Sequence, residues 1–272
     1  MTRARKRERG AALLIALGGL ALVSALAAAA LSLATGPATR AEAALERAAA
    51  MRAAEATVHR LAAAMAARDL RAAAPLDGTV ISTEFFGADV GIAGQDVGGL
   101  IDLNVADRPA LARLFALFAP GAAENSAEDF ADALIEARAA DGAGRGGFAG
   151  REEALAALPE DLRAAALTAF DHATVHSGRA QVDPSTATAP ALAAAANVPL
   201  DAAQRYVADR LLNGRRAALP EGADLSALAV SDLSTARITV RAATPGGGRA
   251  AVTAVIRATS SPRAPVRFLA WR

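Results

Sequence analysis

The sequence contains no cysteine. Disulfides, thiolate metal sites and cysteine nucleophiles are therefore excluded, while the compartment is left open, because a periplasmic protein needs no disulfide. Lysine is nearly missing as well. Lys6 is the single one and every other basic residue is arginine; with the abundant alanine, this reads as the coding bias of a GC-rich genome rather than as a function. Recognisable catalytic motifs are missing too. There is no Gly-x-Ser-x-Gly elbow for a serine nucleophile. The glycine-rich stretch Gly142–Gly147 lacks a Gly-Lys-Ser/Thr ending and follows no clear strand, so it is not a phosphate cradle. His172 and His176 are four apart beside Asp171, but no Glu stands between them as in His-Glu-x-x-His, and Thr174-Val175 favour a strand. They read as structural or surface histidines, and His59 as a solvated residue on a helix edge. Glu152-Glu153 and Glu160-Asp161 sit at helix starts, where the helix dipole accounts for them. No catalytic residue, cofactor-binding residue or metal ligand is assigned.

What is present is concentrated at the start. Arg3, Arg5, Lys6, Arg7 and Arg9, with Glu8, precede Gly10, and the 24 residues from Ala11 to Ala34 carry no charge. Such a run makes a helix of about 36 Å, enough for a bilayer core of about 30 Å. The one-sided basic cluster predicts a cytoplasmic N-terminus. Three readings fit: a cleaved secretory signal, though the run exceeds the usual apolar region of about 7–15 residues; a single-pass anchor; or a leader cut after Gly10 with the apolar helix retained. The net charge is +1, and residues 1–10 carry +4, so the other 262 residues carry −3. A slightly acidic body argues against nucleic acid as a partner.

Thr35-Gly36-Pro37 predicts a kink or short break. Residues 38–74 then read as a helix whose inner face carries Leu45, Ala48, Met51, Val58, Leu61 and Met65, with both methionines in the core. Strands are expected at Thr79–Phe86, near Asp89–Ala93, and within Asp96–Asn104, with Asn104 capping a helix near Asp107–Phe118 that buries Leu111, Leu114, Phe115 and Phe118. Ser126 is expected to cap a helix near Ala127–Ala140 with Phe130, Leu134 and Ile135 inward. Short helices follow at 151–158 and 160–170, and an extended piece at Ala173–Val175. Ala180–Pro184 reads as a short strand leading to helices near Ala189–Ala196 and Leu200–Leu212, echoing the earlier strand, cap and helix pair. Alternation predicts strands at Ala236–Ala242, Ala250–Ala258 and Val266–Trp271, the first two joined at Pro245–Gly248.

The expected fold class is α+β: a long N-terminal helix, transmembrane then periplasmic, packed on an antiparallel sheet with a large all-α insertion. The expected parts are a cytoplasmic leader 1–10, a transmembrane helix 11–34, a helix with first strands 35–104, a helical lobe 105–215 and closing strands 216–272.

The Arg9-Gly10 junction before Ala-Ala-Leu-Leu-Ile resembles the leader of type IV pilin-like proteins. Asp96-Val97-Gly98-Gly99-Leu100-Ile101-Asp102-Leu103-Asn104, then Thr174-Val175-His176-Ser177 with Gln181-Val182-Asp183, and a terminal Leu269-Ala270-Trp271-Arg272, extend that likeness. In order and spacing these pieces resemble GspK-type minor pseudopilins of type II secretion systems. Val97 and Leu100 depart from an acid and a base in the family pattern. The resemblance implies cleavage by a prepilin peptidase after Gly10 and methylation of Ala11. It also implies single-pass insertion in the inner membrane, with most of the chain in the periplasm. An assembly helix would use Leu13, Leu14, Ile15, Leu17, Leu20, Leu22 and Val23 against other minor pseudopilins, and secreted substrate or the outer-membrane channel would be further partners. Ile15 stands where most pilins carry glutamate. A carboxylate in lipid needs a partner, so its absence implies a subunit with nothing ahead of it, at the tip. The family's calcium site is not carried over, since Glu136 and Asp141 alone supply too few oxygens. The alternative is a membrane-anchored DNA-binding or uptake module with helix-hairpin-helix-like repeats.

Overall fold

The computed structural model describes residues 2–67, 74–123, 125–140 and 147–272, with side chains described from residue 17 to 28 and from 39 onward, Arg215 excepted. Helix α1 spans Thr2–Ala66. It passes through Gly36-Pro37 without the break expected there. A proline removes one hydrogen bond of the ladder, and the turns on either side continue the helix around it.

The part of α1 that packs on the sheet is lined by small residues. Ala50, Ala53, Ala54, Thr57, Val58, Leu61, Ala62 and Met65 are all buried, at alternating intervals of three and one that place them on one helical face. Leu45 and Ala48 are exposed, as is Met51 at 39 %. The expected inner face therefore holds at Val58, Leu61 and Met65 and fails at Leu45, Ala48 and Met51, where alanines take the sheet side instead. Alanine brings the helix backbone close to the sheet, and Leu45 and Met51 would not fit in that gap. Contact is tightest at Gly246 and Gly248, where a Cβ would collide with Glu46.

Five antiparallel strands form the sheet in the order β1-β2-β5-β6-β7. These are β1 Asp77–Phe85, β2 Ala88–Asp96, β5 Thr235–Ala243, β6 Arg249–Ala258 and β7 Val266–Trp271. Val90, Ile92, Ile238, Val240, Val252, Ala254 and Ile256 meet the α1 stripe in one core. The two-residue turn between β1 and β2 has Phe86 at φ 52° and Gly87 at φ 69°.

Between β2 and β5 the chain builds a lobe with its own core. It holds β3 (Ile101–Asp102), α2 (Arg108–Ala116), α3 (Ser126–Ala140), α4 (Arg151–Ala156), α5 (Glu160–Ala169), β4 (Ala173–Thr174), α6 (Ala189–Ala196) and α7 (Leu200–Asn213). Phe115, Phe130, Phe170, Leu111, Leu114, Leu134 and Leu192 are at most 1 % exposed there, with Phe115 stacked on Phe130 at 4.6 Å. Asp107, not Asn104, caps α2, accepting from the Ala110 N–H at 2.9 Å. Ala180–Pro184 forms a single bridge, Val182 to Leu228, rather than a strand. The β3 strand pairs instead with β4, in parallel. The fold is thus α+β: a mixed structure in which a helix packs on an antiparallel sheet and a helical lobe is inserted between two adjacent strands.

Candidate functional site

Two regions carry the residues singled out in the sequence: the exposed part of α1 and the junction between sheet and lobe. In α1, Leu17, Leu20, Leu22, Val23 and Leu26 are 54–67 % exposed. At about 100° per residue these positions point to different sides of the helix, so no one face is apolar. A helix apolar all round needs lipid or other helices to cover it. Gly10, Ala11, Leu13, Leu14 and Ile15 lie in the backbone of α1 but outside the residues whose side chains are described. Among the described residues no helix is long and apolar enough to cross a membrane; the span expected over 11–34 extends beyond the 17–28 window at both ends.

The junction begins where β2 ends. Asp96 is paired with Ala236 in the β2–β5 ladder, so the lobe leaves and rejoins the sheet at neighbouring points. Asp96, Asp102 and Asp183 are each 1 % exposed, and none has a basic partner within ion-pair range among the described residues. Each is instead surrounded by donors. Asp96 accepts from the Gly98 N–H at 3.0 Å and the Thr186 hydroxyl at 3.1 Å. Asp102 accepts from the Asn104 N–H at 2.9 Å, the Ser177 hydroxyl at 2.8 Å and the Gly178 N–H at 2.7 Å. Asp183 accepts from the N–H groups of Ser185 at 2.8 Å and Ser231 at 2.6 Å. Several such bonds let a carboxylate stay buried without a counter-ion.

The resemblance-bearing stretches therefore converge. Asp96–Asn104 meets Thr174–Gly178 through Asp102 and Asn104, whose amide donates to Phe148 O at 3.0 Å and Val175 O at 3.1 Å. It meets 181–183 through the Asp183 N–H, which donates to Gly98 O at 2.7 Å. Gln95 donates to Thr186 O at 2.8 Å. Gly98 and Gly99 allow this closeness: a Cβ on Gly98 would sit 2.6 Å from Ser231 Cβ, and one on Gly99 2.5 Å from Thr186 O.

Burial holds the Asp96 carboxyl above its ordinary range, against the bonds from Gly98, Ser231 and Thr186, and Asp183 nearby pushes the same way. Both lobe histidines are lowered, chiefly by burial. His172 closes a 3-10 turn, stacks on Phe118 at 5.2 Å and shares a 3.0 Å hydrogen bond with Thr188. His176 follows β4, so the pair does not share a helical face. Among the described residues no three His, Cys, Asp or Glu side chains gather to hold a metal; residues 141–146 lie outside that set.

The arginines were missed in sequence. Arg138 donates to Leu103 O and Ala106 O at 3.0 and 2.9 Å, Arg113 to Ala194 O at 2.7 Å, and Arg237 to Asp171 O at 2.6 Å. Arg257 donates to His176 O, and Arg272 pairs with Glu152. The planar fork reaches paired carbonyls in a way an ammonium does not. No spacing rule points to a carbonyl far along the chain. His59 is exposed on its helix, as expected, with Phe268 and Trp271 of β7 beside it at 5.6 and 5.4 Å.

No family model and no curated protein matches the chain. Among solved structures, the fold is similar to a chain of the GspK-GspI-GspJ complex from the type 2 secretion system of enterotoxigenic Escherichia coli. The likeness has a TM-score of 0.54 and 13 % sequence identity, and covers 86 % of this chain and 98 % of that one.

Proposed function

We propose that the chain is a non-enzymatic structural subunit, a minor pseudopilin at the tip of a type II secretion pseudopilus, supporting protein export across the outer membrane. The observation that carries this reading is architectural. A 65-residue helix, packed along part of its length on a five-stranded antiparallel sheet with a helical lobe between β2 and β5, matches a chain of the GspK-GspI-GspJ complex over nearly all of that chain's length. The uncovered apolar residues of α1 suit a helix that is held by lipid and by neighbouring helices. Residues 11–34 would anchor it in the inner membrane with the body in the periplasm. A prepilin peptidase would cut after Gly10, and Ala11 would be methylated. Other minor pseudopilins would be its partners in a tip complex, with secreted substrate or the outer-membrane channel beyond. Ile15 in place of a carboxylate supports a position with no subunit ahead.

The DNA-binding alternative is the weaker reading. The α6–α7 turn is Asn197-Val198-Pro199, without glycine, and Val198 is 8 % exposed. Such a turn does not present a row of free N–H groups to phosphate.

The test is co-expression with a prepilin peptidase and the other minor pseudopilins, followed by N-terminal sequencing and affinity purification. A mature N-terminus at methylated Ala11 and recovery of a complex are expected. An uncut chain, or one that purifies alone, would overturn the proposal.

A further inference from the structure

Strand β7 is the last of its sheet. One of its edges pairs with β6, and the other meets no strand among the described residues. A bare edge carries unpaired N–H and C=O groups that can receive another strand. The opposite edge of the sheet, β1, carries Asp77 and Glu84 and no basic residue. The β7 edge has the other sign. Arg263, Arg267 and Arg272 lie in it and in the turn before it, and no acidic side chain stands between Thr259 and Arg272.

The two faces of this edge are built differently. Side chains alternate across a strand, and the register shift beside Leu269 leaves Phe268 and Trp271 on the same side. Both rings lie against His59 of α1, and they meet each other at 5.3 Å. Phe268 is 37 % exposed and Trp271 40 %, so the rings form an open apolar platform. On the other face, Arg267 stands directly across the ladder from Arg257. Like charges in that position are unfavourable. Arg257 is engaged by Thr235 Oγ1 at 3.0 Å and by the His176 carbonyl, and Arg272 by Glu152. Arg267 is exposed and makes no ion pair among the described residues. A carboxylate on a strand beyond β7 would relieve it.

We propose that the open edge of β7 receives an extended segment of another protein as a sixth strand. The segment alternates acidic and apolar residues, its acids beside Arg267 and its apolar side chains on Phe268 and Trp271. Main-chain hydrogen bonds hold such a strand, and the alternate side chains select it. A charge on an edge also serves to keep strands off. A cation, however, excludes basic strands and favours acidic ones, and two exposed rings are a liability on an edge meant to stay bare. The inference stands independently of the secretion reading.

The test is titration calorimetry on the full chain in detergent micelles, with acetyl-Glu-Val-Glu-Val-Glu-Val-amide as the probe. Three controls accompany it: the block isomer with three glutamates before three valines, the alternating Lys-Val peptide, and the probe N-methylated at every residue, which donates no main-chain hydrogen bond. Saturable one-to-one binding is expected, at least tenfold tighter than for any control, with slower hydrogen exchange over Val266–Trp271. Arg267→Glu changes an exposed side chain and should weaken binding at least tenfold. Trp271→Ser removes half of the platform and should do the same, which keeps the test decisive if the first variant folds poorly. The proposal is overturned if the probe does not bind, if any control binds as tightly, if the protection appears over Asp77–Phe85 instead, or if both variants bind like the parent.

Discussion

Asp96 sits where the sheet ends and the lobe begins, and its proton is held more tightly in the folded chain than in the unfolded one. The sign follows from counting protons. Above the unfolded carboxylate value of about 3.9, the folded state still binds a proton that the unfolded state has released. Stability from this group is therefore greatest in acid and is lost as pH rises through the folded value. Asp96→Asn is uncharged throughout and keeps an acceptor for the Gly98 N–H. The melting temperature of the variant relative to the parent should climb as pH is raised from about 4 to about 7; a pH-independent difference would show that the Asp96 carboxyl is not perturbed. His172 and His176 act in the opposite direction. Their folded values are depressed by burial, so their contribution is complete above the unfolded value near 6.5 and is lost as pH falls below it. Phe86 tells a different residue-scale story. It is 75 % exposed at φ 52°, a conformation that suits Asn better than an aromatic residue. Phe86→Asn should raise stability by about 0.5–1 kcal/mol in a urea melt, and a loss instead would mean that its edge-on ring contact with Phe85 at 4.5 Å outweighs the backbone strain.

The element whose packing was hardest to foresee is α1. Its stripe of Ala50, Ala53, Ala54, Ala62 and their neighbours leaves no room for larger side chains, with Ala53 and Ala54 both 0 % exposed. Ala54→Leu should cost about 1–3 kcal/mol by overpacking. Leu45→Ala, on the exposed side, should change stability by less than about 0.5 kcal/mol. Thermal melts of the two variants compare them directly, and equal losses would place the packed face elsewhere. The reason the sequence misled here is physical. Alanine occurs on every side of this helix, so the spacing that rightly picks out Val58, Leu61 and Met65 also admits Leu45, Ala48 and Met51, while the buried face ahead of Val58 is set by which side must approach the sheet closely. Elsewhere the local signals sufficed. Alternation in 235–243 and 249–258 and the Pro-Gly turn between them placed β5 and β6 within a residue or two. Asn104 was legible as a polar residue before a helix, but its side chain is committed to Phe148 and Val175, partners 44 and 71 positions away that no local pattern reveals.

At the scale of the molecule, what matters is that two cores are joined through a narrow polar seam, with further ties from Arg237, Arg257 and Arg272. The stretches from Asp96 to Asn104, Thr174 to Gly178 and 181 to 183 could be marked in the sequence as belonging together, but not why. The structure supplies the reason: each ends at a buried carboxylate or a close backbone approach that ties the lobe to the sheet. Because β2 and β5 are neighbours, the lobe hangs from adjacent strand ends and could pivot there if the seam were loosened. Within the seam Gly99 is the most exacting point, since an added Cβ would meet Thr186 O at 2.5 Å and Thr186 Oγ1 at 2.7 Å. Thr186 in turn bonds Gln95 and Asp96, so Gly99→Ala must push Thr186 away and break both links without touching either hydrophobic core. The expected result is a cost of about 1–3 kcal/mol and a loss of cooperativity between the two parts. Hydrogen exchange would show it as faster exchange at Asp96–Leu103 and 181–187, with protection kept at Val240 and Val252 in the sheet and at Leu114 and Leu192 in the lobe. If the variant instead keeps the parent's protection along the seam, the seam is not what couples the lobe to the sheet, and the ties made by Arg237, Arg257 and Arg272 would have to carry that role.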